Sequence, residues 1–114
     1  MKSDELQQRT KKFALQILDL IEQLPNTVRG RVLANQLARS ATSVRANYRA
    51  ACRSRSRAEF ASKLGTVAEE ADESLYWLEL IDEGKSLPYY TVASLLTEAD
   101  ELTAIFTCGR RSAS

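Results

Sequence analysis

The chain has 114 residues and a mass of 12.7 kDa, enough for one domain around one core. Apolar residues make up 44% and charged residues 27%, with four Gly and two Pro, a composition that favours helices over strands and turns. The absence of histidine excludes His general bases, Ser-His-Asp and Cys-His catalysis and His-ligated metals, and two cysteines are too few for a zinc site or a disulfide framework.

The expectation is therefore an all-α domain that is not an enzyme and holds no cofactor or metal. No apolar run reaches the roughly 18 residues that span a bilayer, so no membrane partner is expected. The polar opening, Met1 to Thr10, has no apolar export segment, and isolated cysteines suit a reducing compartment, so the expected setting is the cytoplasm.

In chain order, the first helix is expected over about 4–24, where Leu6, Phe13, Ile17, Leu20 and Leu24 recur at helical spacing. Pro25-Asn26-Thr27 breaks it, and Asn26 or Thr27 can cap the next. A second helix is expected over 28–53, with Leu33, Leu37, Ala41, Val44, Tyr48 and Ala51 within an arc of about 80°. Ser56-Arg57-Ala58-Glu59 reads as a capping box opening a third helix, whose core positions are Phe60, Leu64, Val67, Ala71, Leu75, Leu78 and Ile81. Gly84 is a candidate C-cap. Pro88 suits the first position of a fourth helix over 88–108, with Val92, Leu95, Leu96, Ala99, Leu102 and Phe106 as its stripe. Residues 1–108 then form a single domain and 109–114 a disordered C-terminal tail. Short links favour antiparallel neighbours, an up-down-up-down four-helix bundle.

Net charge is +1, but its distribution is uneven. Residues 23–58 carry eight arginines and no acid, whereas residues 59–114 carry eleven acids against four bases. Arg31, Arg39, Arg45, Arg49, Arg53 and Arg57 share an arc of about 120° if one helix carries them all. A guanidinium stripe of this kind is a candidate phosphate-binding face for RNA or DNA, and the alternative is pairing with the acids that follow.

Three further groups stand out. The acids Glu69, Glu70, Asp72, Glu73, Glu79 and Asp82 resemble the magnesium motif of all-α nucleotide pyrophosphohydrolases. That chemistry needs the carboxylates on facing helices, whereas these share one helix, which favours a solvated or ion-paired face. Ser40, Thr42, Ser43 and Asn47 are small polar residues suited to close helix packing. Tyr76-Trp77 and Tyr89-Tyr90 suit a protein interface better than base stacking.

Asn35-Gln36-Leu37-x-Arg39-Ser40-Ala41-x-Ser43-Val44-x-Ala46-Asn47 resembles the central signature of the four-helix-bundle proteins known as 23S rRNA intervening-sequence proteins. Arg53-x-x-Ser56-x-x-Glu59-Phe60-x-x-Lys63-Leu64 and Glu69-Glu70-Ala71-Asp72-Glu73-x-x-Tyr76-Trp77-Leu78-Glu79-Leu80 extend the likeness to about 6–105. The resemblance implies an antiparallel bundle assembled into a homopentameric ring. It also implies kinship with the accessory protein of diversity-generating retroelements, which works with a reverse transcriptase and nucleic acid. The implied partners are further copies of the chain, RNA or DNA, and a protein such as a reverse transcriptase. Many members have Ile-Ala-Glu-Gly after the signature Asn, where this chain has Tyr48-Arg49-Ala50-Ala51, adding positive charge and a bulky ring. The expected oligomer interface comprises Asn47, Tyr48, Glu69, Glu70, Glu73, Tyr76 and Trp77. The competing expectation is a scaffold whose arginines form intersubunit salt bridges.

Overall fold

A computed structural model describes residues 3–113. Four helices follow in order: α1 (Ser3–Ile21), α2 (Val28–Ala51), α3 (Arg57–Glu83) and α4 (Tyr89–Ala113), with no strand among the described residues. Each helix packs on its neighbour in sequence, and α1 closes on α4 along the thinnest seam. The directions alternate. Gln7 of α1 meets Arg45 late in α2, Ser40 meets Ser74, and Arg57 at the start of α3 meets Ala113 at the end of α4. The result is an antiparallel four-helix bundle measuring 44 × 21 × 19 Å.

Phe13, Ile17 and Leu20 of α1 are buried with Leu37 and Val44 of α2, Val67, Leu78 and Ile81 of α3, and Val92, Leu102 and Phe106 of α4. Phe60 and Leu75, expected in the core, are half-buried. The buried arc of α3 is instead filled out by Ala61, Gly65, Ala68 and Ser74, small residues that let α2 and α4 approach from both sides. Between α2 and α3 the buried Ser74 hydroxyl donates to Ser40 Oγ at 2.9 Å and lies 2.9 Å from the Glu70 carbonyl. Ser40 in turn donates to the Leu37 carbonyl. Two hydroxyls are thus satisfied inside the core, and they pin the register of the two helices.

The helix ends refine the sequence-based boundaries. Residues 22–24 leave α1 through i→i−3 bonds, Gln23 N to Leu20 O and Leu24 N to Ile21 O, which tighten the chain into a turn. Thr27 caps α2, its Oγ1 accepting from Gly30 N at 3.0 Å. Gly30 is required there, because a Cβ would lie 1.8 Å from the Pro25 carbonyl oxygen. α2 stops at Ala51 rather than Arg53, again through i→i−3 bonds from Arg53 N and Ser54 N. Ser56 caps α3 as expected, accepting from Glu59 N, but Glu59 reaches back to Arg55 N instead of closing the box on Ser56. Pro88 stands just before α4 rather than inside it.

The expected disordered tail needs correcting over its described part, since α4 continues through Gly109 to Ala113. The Arg57 guanidinium donates to the Ser112 and Ala113 carbonyls, and Arg110 lies across Gly65. Those contacts satisfy carbonyls a free helix end would leave to water. Met1, Lys2 and Ser114, which the expected domain and tail bounds include, lie outside the described residues.

Gly84 is the C-cap of α3, as expected, but the left-handed residue is the one that follows it. Ser86 N donates to Ile81 O and Lys85 N to Asp82 O, the paired bonds of a Schellman motif. The left-handed position is Lys85, with φ 56°, while Gly84 is right-handed at φ −79°. A side chain therefore sits where glycine carries no steric cost. Lys85→Gly should raise stability by about 0.5–1 kcal/mol in urea unfolding, and a loss of stability would contradict the assignment of this turn.

Candidate nucleic-acid interface

The six arginines expected to share one face do not act as one set. Arg31 and Arg49 are eighteen residues apart on α2, a whole number of turns, so both project along one line on the exposed side of the helix. Arg39 is rotated about 80° from that line toward α3, and Arg45 about 40° the other way, toward α1. Their contacts follow from those angles. The Arg39 guanidinium pairs with Glu70 at 3.1 Å and with Glu73. Arg45 donates to the Gln7 carbonyl at 3.0 Å and to the Gln7 side chain. Arg39 and Arg45 are thus engaged within the chain, one on each flank, although Arg39 stays exposed.

Arg31 remains exposed near the far end of the bundle and donates to Asn26 Oδ1 at 3.2 Å. Arg53 and Arg57 need a second correction. Because α2 ends at Ala51, Arg53 lies in the α2–α3 turn and Arg57 is the first residue of α3, so the 100° progression does not carry through to them. The turn brings them to the same end as Arg49 and Arg55, and the extension of α4 adds Arg110 and Arg111. Among the described residues no carboxylate forms an ion pair with the guanidinium of Arg49, Arg53, Arg55 or Arg110. This end therefore carries six arginines against Asp4, Glu5 and Glu59. The sequence shows Arg110-Arg111 plainly, but only the continuation of α4 places them beside the α2–α3 turn.

The residues expected at an oligomer interface also divide. Tyr48 is 3% exposed and packs against Phe106, ring centroids 5.2 Å apart, while its hydroxyl donates to Ser3 Oγ. It belongs to the core of its own bundle, and burial raises its phenol pKa. Asn47 is half-buried and donates to the Ser43 carbonyl of its own helix. Glu69 and Tyr76 are exposed, and Glu70, Glu73 and Trp77 are half-buried along the α2–α3 seam. Tyr76 meets Trp77 edge-on with centroids 5.0 Å apart. Sequence inspection passed over the neighbours of this group. Val28 and Val32 of α2 and Leu80 of α3 are exposed, and the Ser40–Ser74 register sets Val32 and Leu80 at nearly the same level. With Tyr76 they are exposed apolar side chains of α2 and α3.

A model of the family described as 23S rRNA-intervening sequence protein matches residues 2–107. A solved structure from Bacteroides thetaiotaomicron, described as a protein with unknown function from the S23 ribosomal protein family, superposes with a TM-score of 0.87 at 31% identity. The match covers 97% of this chain and 99% of that one. Among curated proteins none matches. No helix is long and apolar enough to cross a membrane among the described residues.

Glu73 links the ionic and aromatic parts of the seam. Its carboxylate accepts from Trp77 Nε1 at 3.1 Å and from Arg39, and these two partners, the indole foremost, hold its pKa below the ordinary carboxylate range. The carboxylate form is therefore favoured by folding, and that contribution is present at neutral pH and fades as acid protonates Glu73. Trp77 is the sole tryptophan, so its fluorescence reports this titration. The expected midpoint lies below about 4.3, the value of a free glutamate, and Arg39→Gln should move it upward. A midpoint at or above the free value would contradict the geometry.

Proposed function

The chain belongs to the 23S rRNA-intervening sequence protein family, and from that premise we propose that it is a non-enzymatic, homo-oligomeric accessory protein that binds RNA or DNA. The observation that carries the proposal is the arginine cluster of Arg49, Arg53, Arg55 and Arg110, drawn from three elements and without carboxylate partners among the described residues. Guanidinium groups present planar donor forks that suit phosphate oxygens and carry little hydration to lose. The family is named for 23S rRNA and the Bacteroides protein belongs to a family named for a ribosomal protein, in keeping with a nucleic-acid partner. The setting is the cytoplasm, and a protein partner such as a reverse transcriptase would meet the same nucleic acid.

Phosphate contacts without a base-reading element give binding that depends on salt and little on sequence. With about four phosphates engaged, log affinity should fall against log salt with a slope near −3.5. The double variant Arg49→Glu/Arg53→Glu should abolish binding in fluorescence anisotropy with short RNA and DNA while leaving helical content unchanged. Absence of binding by the unaltered protein at low salt would end this account of the arginines.

Exposed apolar residues favour a complementary reading as a self-assembling scaffold. Val28, Val32, Tyr76 and Leu80 are exposed on α2 and α3, the two helices that also carry the Arg39–Glu70–Glu73 ion pairs, a mixed surface suited to a subunit contact. The family resemblance gives that contact its form, a ring of five built by head-to-tail apposition of unlike patches. Light scattering should report an oligomer at micromolar concentration, and Leu80→Glu with Val32→Glu should convert it to monomer. A monomeric unaltered protein would remove the ring.

A further inference from the structure

At the end of the bundle away from the arginine-rich turn, the link between α1 and α2 meets the link between α3 and α4. Between them lies a hollow of about 400 Å³, whose polar side chains are those of Thr27, Arg29, Lys85 and Ser86. Its size lies within the range of about 300–1,000 Å³ typical of small-molecule sites. Arg29 and Gly84 also line a second hollow of about 270 Å³, walled by Leu33 and Leu80, so the two adjoin.

The charge of the first hollow is set by its side chains. The positive end of α2 and the negative end of α3 meet there, so the two helix dipoles offset one another. No lining residue is acidic, whereas Arg29 and Lys85 are both cations. Among the described residues no carboxylate forms an ion pair with either. Thr27 Oγ1 accepts from Gly30 N, which leaves its own hydrogen to donate, and the Ser86 hydroxyl adds another donor. Lys85 carries a further sign. Its φ of 56° is in the left-handed region, where glycine is unstrained and lysine is not. A side chain held at a strained position points to a use for it, and this one lines a hollow suited to an anion.

The geometry points to a binding site for a small phosphate monoester, its phosphate held by Arg29 and Lys85 and its apolar body against Leu33 and Leu80. A guanidinium fork, an ammonium group and two hydroxyls suit the three terminal oxygens of such a phosphate better than the two of a carboxylate. The adjoining apolar hollow favours an ester over free phosphate. This site shares no residue with the arginine cluster of the nucleic-acid proposal and lies at the opposite end of the bundle.

Nuclear magnetic resonance of the full chain during titration with phenyl phosphate tests the site. The amide signals of Arg29, Gly30, Lys85 and Ser86 should shift together. Inorganic phosphate should move the same signals with about tenfold weaker affinity, since it buries no ring. Benzoate should also bind more weakly than phenyl phosphate. Lys85→Gly is the most telling variant: it should be more stable than the unaltered protein yet lose about tenfold in phenyl phosphate affinity, the share of one charge-assisted hydrogen bond. Arg29→Gln should lose as much, and Leu80→Ala should bring phenyl phosphate toward the affinity of inorganic phosphate. Arg49→Glu/Arg53→Glu should leave phenyl phosphate binding unchanged, so the two proposals fail separately. No shift at low salt, shifts centred on the arginine-rich end, phenyl phosphate no tighter than inorganic phosphate or benzoate, or full affinity in both Lys85→Gly and Arg29→Gln would each overturn the site. Displacement of phenyl phosphate by short RNA in the Arg49→Glu/Arg53→Glu variant would overturn it in favour of nucleic acid.

Discussion

The α2–α3 seam sets the rest of the molecule in place. Its centre is the buried hydrogen bond between Ser40 and Ser74, made where small side chains let the two helices come close. A slip along this seam would lose that bond and leave each hydroxyl only a carbonyl of its own helix, Leu37 for Ser40 and Glu70 for Ser74, a net cost of about 1 kcal/mol. With the register held, Arg39 falls opposite Glu70 and Glu73, Trp77 reaches Glu73, and Val32 draws level with Leu80. The same register fixes where α2 must end, and so where the arginine-rich turn emerges.

From that follows the division of labour among the arginines. Rotation about α2 of a few tens of degrees decides whether a guanidinium falls against α1, against α3, or outward between them. Arg45 and Arg39 take the flanks and brace the bundle through Gln7 and through Glu70 and Glu73. Arg49 stays exposed, and the turn that follows brings Arg53, Arg55 and Arg57 to the same end. The C-terminal turns of α4 join them because Arg57 satisfies the last carbonyls of that helix. An electrostatic surface is thereby assembled from three elements at one end of the bundle.

Much of the architecture was legible in the sequence because it rests on local signals. The stripes of apolar residues, the break at Pro25, and the caps at Thr27 and Ser56 depend on neighbours within a few positions. The partition of the arginines was not, since it depends on which helix lies on either side of α2. A helical projection gives the angles, but only the packing order assigns them partners. Arg53 and Arg57 were misplaced because the projection was carried through a turn, where the 100° rule no longer holds. Tyr48 was read both as core and as interface, and its contact with Phe106, fifty-eight residues away in sequence, decides for the core. The cavity of about 890 Å³ at the arginine-rich end is not legible in the sequence because it is made by absence: small residues of α1, α4 and the turn after α2, each unremarkable alone, leave a space together. The continuation of α4 past Cys108 is not legible because its support comes from Arg57, and the sequence around Gly109 offers no apolar stripe to announce it.

The account turns on the claim that the arginines of α2 and its following turn are of two kinds. Nuclear magnetic resonance of the arginine Nε–H groups during titration with a short RNA separates them directly. The predicted result is that the signals of Arg49, Arg53, Arg55 and Arg110 shift together with RNA, while those of Arg39 and Arg45 stay in place. Early movement of Arg39 and Arg45, or no movement of the cluster, would contradict it.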